Sequence, residues 1–260
     1  MAGSLRTFRK QRRAEAAGAF AAEAAGLDWL RAAEERGGAL IARVVSVTED
    51  VLELELLADA PPTRDAARRF GAALAATHDA GAAGFGAPPD GWDGSCFLGR
   101  QDLPTRRDDS SWGRFYAEDR VLHYLGRAET RGHVDAGAAG IVRRACDRIA
   151  AGDFDDGDRP ARLHGDLWNG NVIWTADGVV LIDPAAAGGH RESDLAMLDL
   201  FGCPLLEDIV AGYQEAHPLE PGWRDRLQLH QLHPLAVHAA SHGASYSAPL
   251  VRAAEAVLAV

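Results

Sequence analysis

The sequence contains little cysteine and too few basic residues to balance its acidic ones. Its three cysteines, Cys96, Cys146 and Cys203, stand far apart in a chain of 260 residues. Such a small, odd number predicts a reducing compartment and argues against a disulfide framework. The formal net charge is −11, and nucleic acids and anionic membranes would repel a chain of that charge. We therefore expect neither of them as a main partner.

Long apolar runs are absent as well. A membrane span needs about 20 consecutive apolar residues, and no segment reaches that length. The N-terminal stretch MAGSLRTFRKQRR is basic but lacks the apolar core of a signal peptide. We therefore expect a cytoplasmic protein. With 47% hydrophobic and 25% charged residues, the chain is long enough for one large domain or two small lobes around a buried core.

The segment 162–202 contains two acidic residues in different settings. Asp166 lies in a polar loop, HGDLWNGN, whereas Asp183 ends an apolar run, VVLID. Two β-rich runs between them flank an Asp-Gly pair, which predicts a hairpin. This hairpin would hold Asn171 at its start and Asp183 at its end. Both side chains would then face the same cleft as Asp166.

These three side chains have a shared chemistry. Oxygen-bearing groups held near one point repel one another or compete for donors unless a hard cation joins them, and Mg²⁺ accepts such ligands together with water and phosphate oxygens. An Asn five residues after a loop Asp, followed by a second Asp after a hairpin, is the kinase pattern for phosphoryl transfer. The alternative interpretation is a hairpin with ordinary turn acids.

Three motifs together, HGDLWNGN, IDPAAAGGHRESDLAM and FGCP, resemble the fructosamine kinase (ketosamine-3-kinase) family. This family is a branch of the protein-kinase-like enzymes related to aminoglycoside phosphotransferases. The resemblance extends more weakly from about Phe8 to the C-terminal helices. It implies an α+β, two-lobed protein-kinase-like fold, with a truncated N-terminal β lobe at 1–60 and a large, mainly helical lobe at 61–260.

The resemblance assigns roles to residues that match the family's motifs. Asp166 would be the catalytic base, and Asn171 and Asp183 would hold Mg²⁺. Lys10, paired with Glu23, would steady the α- and β-phosphates of ATP, although neighbouring basic residues offer an alternative to Lys10. Asp194 would brace the backbone of the catalytic loop, 164–171.

Further roles concern adenine and the acceptor. The backbone where the chain crosses between lobes binds adenine in kinase-like folds, which implies Glu55, Leu56 and Leu57. Trp168 and His164 would contact the substrate, Trp168 by offering an aromatic face to sugar C–H groups.

The first 60 residues are predicted to form the small lobe. LRTFRK is predicted to be a short strand ending at Lys10, and the Ala-rich run 14–33 has helical spacing and contains Glu23. Two apolar runs predict a hairpin at 40–57. The family places two strands and a phosphate-covering loop before the lysine, but only nine residues precede Lys10. Either the lobe is trimmed in this lineage or the start of the gene is missing.

The rest of the chain is predicted to be mainly helical. Helices are expected at 63–79, 112–127 and 135–151, and the Gly- and Pro-rich segment 80–111 is expected to be a long irregular loop that borders the sugar site. Four C-terminal histidines, His230, His233, His238 and His242, spread around a helix with no cysteine or carboxylate pair to complete a metal site. Core or groove positions are therefore favoured for them.

The resemblance implies an ATP-dependent kinase that phosphorylates a ketosamine, either small or protein-bound, at the sugar 3-hydroxyl. Its implied role is the removal of sugar adducts from amines and proteins. Two alternatives remain open. A related phosphotransferase would act on an aminoglycoside, choline or another amino alcohol. A non-catalytic pseudokinase would explain the short N-terminus.

Overall fold

The computed structural model describes residues 6–11, 16–106 and 111–260. The N-terminal part of these residues contains four short strands and a helix. They are β1 (Thr7–Gln11), α1 (Ala19–Arg31), β2 (Leu40–Ile41), β3 (Val44–Val47) and β4 (Val51–Glu55). The strand, helix and hairpin predicted for the small lobe are therefore present. Within the described part of the predicted range 14–33, α1 begins at Ala19 and ends at Arg31, and residues 14 and 15 lie outside the described residues.

The strands β1, β4 and β3 form an antiparallel sheet in that order. Lys10 lies opposite Leu52 and Phe8 lies opposite Leu54. Leu52 and Leu54 are buried because alternate residues of a strand point to the same face of a sheet. Against that face packs α1, whose Leu27 is also buried. The sheet and helix hold Lys10 close to the helix residue Glu23.

The remaining elements are helices with three short β pairs. They are α2 (Arg64–Asp79), β5 (Cys96–Leu98), β6 (Gln101–Leu103), α3 (Trp112–Phe115), a π-helical segment (Tyr116–Leu122), α4 (His123–Thr130), α5 (Ala136–Ala150), β7 (Ala161–Leu163), β8 (Val172–Thr175), β9 (Gly178–Leu181), β10 (Ala187–Gly189), α6 (Glu192–Leu200), α7 (Leu206–Ala216), α8 (Leu227–His242) and α9 (Ser247–Ala259). No helix among the described residues is both long and apolar enough to cross a membrane.

The predicted hairpin of the central segment is formed by β8 and β9, with Val172 opposite Leu181. On its other edge β9 pairs in parallel with β2, so that Ile41 also lies opposite Leu181. This contact joins the N-terminal part of the chain to the strand that ends two residues before Asp183. The strands β7 and β10 form a separate antiparallel pair just outside the loop that contains Asp166.

Two apolar cores support these elements. The first joins α1 and the N-terminal sheet to α2, α7 and the β8–β9 hairpin, and the second joins the π-helical segment, α5, α8 and α9. In the first core α2 and α7 lie backbone to backbone. A Cβ atom on Gly71 would stand 1.8 Å from the Ile209 carbonyl oxygen, so only glycine permits this approach. Because the first core includes residues on both sides of residue 60, the lobe boundary there stays a prediction.

Several helix boundaries agree with the sequence patterns. The Thr63 hydroxyl accepts a hydrogen bond from the Ala66 amide at 3.2 Å, which caps α2 as predicted. The helix predicted at 112–127 continues to Thr130 through the π-helical segment. Pro234 lies inside α8 without ending it. The segment 80–111 differs from its prediction, because it contains the β5–β6 hairpin.

Candidate active site

The loop between β7 and β8 presents Asp166. Its backbone is held by Asp194 of α6, whose two carboxylate oxygens accept hydrogen bonds from the amides of His164 at 2.8 Å and Gly165 at 3.0 Å. Gly165 has φ +79, and a Cβ atom there would lie 2.2 Å from the Ala185 carbonyl oxygen. Glycine is therefore required at this turn. These are the contacts that the kinase-like resemblance predicts for Asp194.

Asp194 is itself fixed from behind. It is 1% exposed, and its carboxylate accepts a hydrogen bond from Nε2 of His78 at 3.1 Å, while Nδ1 of His78 lies 2.8 Å from the Tyr213 hydroxyl. Burial alone would raise the pKa of Asp194, but the hydrogen bond and charge of His78 and the backbone amide of Gly165 outweigh it and keep the pKa low. Asp194 therefore stays ionised.

Asn171 ties Asp166 to Asp183. Its Nδ2 donates to the Asp166 carbonyl at 2.7 Å, to Oδ2 of Asp166 at 3.2 Å and to the Asp183 carbonyl at 3.4 Å. Asn171 is buried at the end of a short 3₁₀ turn, Asn169–Asn171. The amide nitrogen is thus committed to Asp166 and Asp183, whereas no donor among the described residues contacts Oδ1.

Asp183 has a left-handed backbone conformation with φ 55. A non-glycine residue in this region costs on the order of 1 kcal/mol, and such positions concentrate at functional sites. The turn ends the β9 strand and directs the carboxylate towards Lys10, whose Nζ lies 2.5 Å from Oδ1. The Asp183 side chain is 40% exposed, so its second oxygen remains accessible from the cavity.

Lys10 contacts two carboxylates at once. Its Nζ lies 2.6 Å from Oε1 of Glu23 in addition to its contact with Asp183. Burial alone would lower the pKa of Lys10, but the two carboxylates outweigh it and raise the pKa. The ammonium is therefore charged at physiological pH. The strand β1 and the helix α1 place the predicted Lys10–Glu23 pair in contact.

Asp166 has unusual electrostatics for an aspartate. Burial raises its pKa to about 7, the hydrogen bond from Asn171 opposes this shift, and the charges of Asp183 and Asp194 add to it. A carboxyl group whose pKa lies near neutrality can take up and release a proton under physiological conditions. The site therefore contains a candidate acid–base group beside a lysine–carboxylate cluster.

Two cavities meet at Asp166. The Lys10 cavity, of about 560 Å³, is lined by Lys10, Glu23, Asp166, Trp168, Asn171 and Asp183, among others. The His238 cavity, of about 640 Å³, is lined by Asp166 and Trp168 together with Phe201, His238, His242 and Tyr246, among others. Trp168 is 43% exposed and borders both cavities, which fits its predicted contact with a substrate.

Apart from Trp168, the aromatic residues in the walls of the His238 cavity were not assigned to the site from the sequence. The rings of Phe201 and Tyr246 each lie 4.9 Å from the His238 ring, and Trp168 meets Phe201 edge-on at 6.5 Å. Only the helical spacing of His238 and His242 hinted at a common face. The other aromatic residues come from distant segments, and their convergence depends on the packing of α8 against α6 and α9.

Some predicted site residues lie elsewhere. The side chain of His164 is buried and lines neither cavity, because Nδ1 accepts from the Asp166 amide and Nε2 donates to the Ile182 carbonyl. We therefore replace its predicted substrate contact with support of the loop. Glu55, Leu56 and Leu57 also lie outside the Lys10 cavity, and the Leu56 amide already donates to the Arg6 carbonyl. The structure gives no support to their predicted adenine role.

The residues present fit a magnesium ion. Asn171 directs its amide nitrogen to Asp166 and Asp183, which leaves Oδ1 as an acceptor, and Asp183 offers a carboxylate oxygen to the same cavity. A carboxylate and an amide oxygen, completed by water and phosphate oxygens, are a donor set that Mg²⁺ accepts.

A second group of potential metal ligands is occupied by other contacts. Ligand atoms of His190, Glu192 and His230 lie within 4.8 Å of one another. However, both oxygens of Glu192 bind the Arg226 guanidinium, and Nε2 of His190 bonds to Asp156. These buried groups therefore satisfy one another without a metal.

The fold and the site together define a protein-kinase-like protein. A small sheet with a lysine, a helix with its glutamate partner, a loop braced by a buried aspartate and a second aspartate after a hairpin occur in the order of that class. An aminoglycoside phosphotransferase solved with ADP and hygromycin B has the same fold, with a TM-score of 0.53 at 15% identity over 88% of this chain and 83% of that chain.

Within this class the chain belongs to the fructosamine kinase family, whose model matches residues 2–259. The crystal structure of a candidate fructosamine-3-kinase from Thermobifida fusca superimposes with a TM-score of 0.89 at 43% identity, covering all of this chain and 88% of that one. A probable ketoamine kinase of Synechocystis is 33% identical over 94% of this chain and 80% of its own length. A probable ketoamine kinase of Enterococcus faecium is 33% identical over 71% of this chain, and the match spans 65% of that protein.

Proposed function

We propose that the protein transfers the γ-phosphoryl group of ATP to the 3-hydroxyl of a ketosamine. The observation that supports this proposal best is the convergence of Asp166, Asn171 and Asp183 at the junction of two cavities. One cavity contains the paired lysine and the other has aromatic walls suited to a sugar. Family membership supplies the substrate class.

Asp166 acts on the acceptor in this proposal. Its carboxylate orients the sugar hydroxyl and takes the proton as the bond between oxygen and phosphorus forms. A pKa of about 7 matches this task, since the group is substantially ionised at neutral pH yet basic enough to accept the proton. The hydrogen bond from Asn171 holds the carboxylate in position without removing its second oxygen from the cavity.

Lys10, Asn171 and Asp183 act on the nucleotide. Lys10 steadies the α- and β-phosphates, with Glu23 fixing its ammonium on the cavity wall. Asn171 and Asp183 would hold Mg²⁺, which when bound neutralises charge on the phosphate oxygens. Catalysis of this kind depends on positioning and on fixed charge more than on covalent chemistry.

The acceptor is a small or protein-bound ketosamine in this proposal. Its sugar packs on Trp168 within the His238 cavity. The proposed role is the repair of glycated amines and proteins in the cytoplasm, because phosphorylation at the 3-hydroxyl destabilises the adduct.

The test is turnover of a ketosamine and ATP by wild type and by Asp166→Asn. We expect the substitution to lower kcat by about 10³-fold with an unchanged melting temperature, because it removes the proton acceptor and keeps the shape. Asp177→Asn, in the exposed turn of the β8–β9 hairpin, is the matched control and should retain full activity. Near wild-type turnover by Asp166→Asn would refute the role of Asp166. Absence of ATP turnover with every ketosamine, aminoglycoside and amino alcohol tried would favour a pseudokinase.

A further inference from the structure

The β5–β6 hairpin places an arginine over the meeting point of the two cavities. Its tip consists of Gly99, with φ +56, and Arg100. Arg100 is exposed and lines both the Lys10 cavity and the His238 cavity. Within residues 6–11, 16–106 and 111–260 it makes no ion pair, whereas nearby Arg106 binds Glu118 and Asp119. Since no described residue forms an ion pair with it, the Arg100 guanidinium beside the two cavities is available to a ligand.

The hairpin is fixed to the helical part of the protein, which also fixes the position of Arg100. The Tyr124 hydroxyl donates to the Asp102 carbonyl at 2.7 Å. Arg127 donates to Oε1 of Gln101 at 2.9 Å and to Oδ2 of Asp102 at 2.7 Å. Alternate hairpin residues are buried in the second core. Because these contacts fix the β5–β6 hairpin, they also fix the backbone of Arg100 at the edge of the two cavities.

The His238 cavity offers few other charges. His238 donates from Nδ1 to the Pro234 carbonyl at 2.7 Å, which leaves Nε2 as an acceptor. Burial lowers the pKa of His238, so the ring is neutral at physiological pH. The remaining walls are mainly aromatic or apolar. Among the described residues that line this cavity, Arg100 is the one whose side chain stays positively charged at any physiological pH.

We propose that Arg100 binds the carboxylate of the acceptor, so that the preferred substrate is a ketosamine formed from an amino acid whose carboxylate is free. This proposal rests on the proposed function. An arginine matches a carboxylate with a two-pronged hydrogen-bond geometry, and the aromatic walls pack the sugar and side chain. The Lys10 cavity, which Arg100 also borders, already has a cation in Lys10, where Glu23 and Asp183 hold it. Arg100 is thus a specificity-determining residue on the acceptor side.

The experiment compares two acceptors that differ only by a carboxylate, fructosylvaline and fructosyl-isobutylamine. For wild type we expect kcat/KM to be about tenfold or more higher for fructosylvaline, because a charge-assisted bidentate contact contributes at least that factor. Arg100→Gln should reduce the ratio to near one by raising KM for fructosylvaline alone. Arg100→Lys should retain part of the preference. KM for ATP should not change in either variant.

The matched control is Arg252→Gln, an exposed arginine of α9 outside both cavities, which should leave the ratio at its wild-type value. A wild-type ratio near one would overturn the proposal, as would an equal loss on both acceptors in Arg100→Gln. A rise in KM for ATP would overturn it too, since Arg100 would then bind phosphate.

If neither compound is phosphorylated, the proposed function is wrong. Calorimetry with the same two compounds then tests whether Arg100 binds the carboxylate. Equal affinities of wild type and Arg100→Gln for fructosylvaline would refute this.

Discussion

The two cavities that meet at Asp166 are built from different kinds of side chain. The Lys10 cavity is lined by charged groups that contact one another, as Lys10 contacts Glu23 and Asp183. The His238 cavity has a group of aromatic and imidazole rings in its wall, and Arg100, which has no ion-pair partner among the described residues, lies where it meets the Lys10 cavity. In the proposed function these charged groups meet a metal and phosphates, and such groups tolerate little change in type or spacing. Aromatic walls can be assembled from many positions in a sequence. The acceptor specificity proposed for the His238 cavity can therefore change more easily than the Lys10 cavity can.

Between the two cavities, the larger effect is expected on the Lys10 side, from Asp183→Ala. Loss of the carboxylate removes a proposed metal ligand and the partner of Lys10, and we expect kcat to fall by about 10²–10³-fold. Mg²⁺ titration of turnover and calorimetry of Mg·ATP binding are the measurements. Asp177→Ala, on the opposite end of β9, should match wild type. Unaltered Mg²⁺ dependence in Asp183→Ala would exclude the metal role.

A smaller effect on the same side is expected from Lys10→Ala. We expect KM for ATP to rise about tenfold, because two carboxylates then face the phosphates without their cation. The substitution Arg9→Ala changes the neighbouring residue of β1, whose side chain is 55% exposed and lies 3.9 Å from Glu53. It should leave KM for ATP unchanged. The opposite outcome, a dependence on Arg9 and not on Lys10, would transfer the phosphate role to the neighbour.

On the His238 side, Trp168→Ala tests the aromatic wall. We expect KM for the ketosamine to rise about tenfold, with KM for ATP unchanged, because the indole supplies packing area for the sugar. Trp168→Phe should recover most of the affinity, since it keeps an aromatic face. If Trp168→Ala raised KM for the ketosamine and KM for ATP equally, Trp168 would contribute to both binding sites and not to the acceptor site alone.

The smallest effect concerns stability and lies outside both cavities. Burial alone would raise the pKa of Glu192, but hydrogen bonds from His230 and Arg226 outweigh it and lower the pKa from 4.5. The ionised form thus stabilises the folded state, fully above about pH 4.5 and progressively less as the pH falls below that value. We expect a contribution on the order of 2 kcal/mol to the free energy of unfolding.

Urea unfolding between pH 3 and pH 7 measures this contribution. Glu192→Gln should flatten part of the acid dependence. Glu207→Gln, which removes an exposed ion pair with Arg224, should change the free energy of unfolding by less than about 1 kcal/mol. If the free energy of unfolding depended on pH equally in wild type and Glu192→Gln, the stabilising role of ionised Glu192 would be contradicted.

The sequence allowed one side of the site to be predicted better than the other. Asp166, Asn171 and Asp183 lie within one short segment, and their spacing alone predicted a shared cleft. Lys10 and Glu23 followed from the resemblance to the family. In contrast, Arg100 lies in a segment predicted to be irregular, and its position depends on contacts from Tyr124 and Arg127. Tertiary contacts of this kind have no periodic signal in the sequence.

His164 illustrates a different error, because it was predicted for the site but does not line either cavity. It stands two residues before Asp166 in the HGD motif, and a contact with the substrate was predicted for it. In the structure its ring faces inwards, because both nitrogens bond to backbone groups of the loop and of Ile182. The sequence therefore placed His164 in the correct loop but did not predict where its side chain points. Side chains that are close in a tight loop can point to different sides.

The parallel pairing of β2 with β9 has a consequence for the order of folding. The β8–β9 hairpin joins neighbours in sequence and can form early, whereas Ile41 and Leu181 are brought together only after a long loop has closed. The Ala42 amide donates to the Leu181 carbonyl at 3.0 Å, so pulse-labelled hydrogen exchange can follow this step. We expect Ala42 to become protected after the hairpin amides do, which would place the docking of β2 after the formation of the hairpin that leads to Asp183.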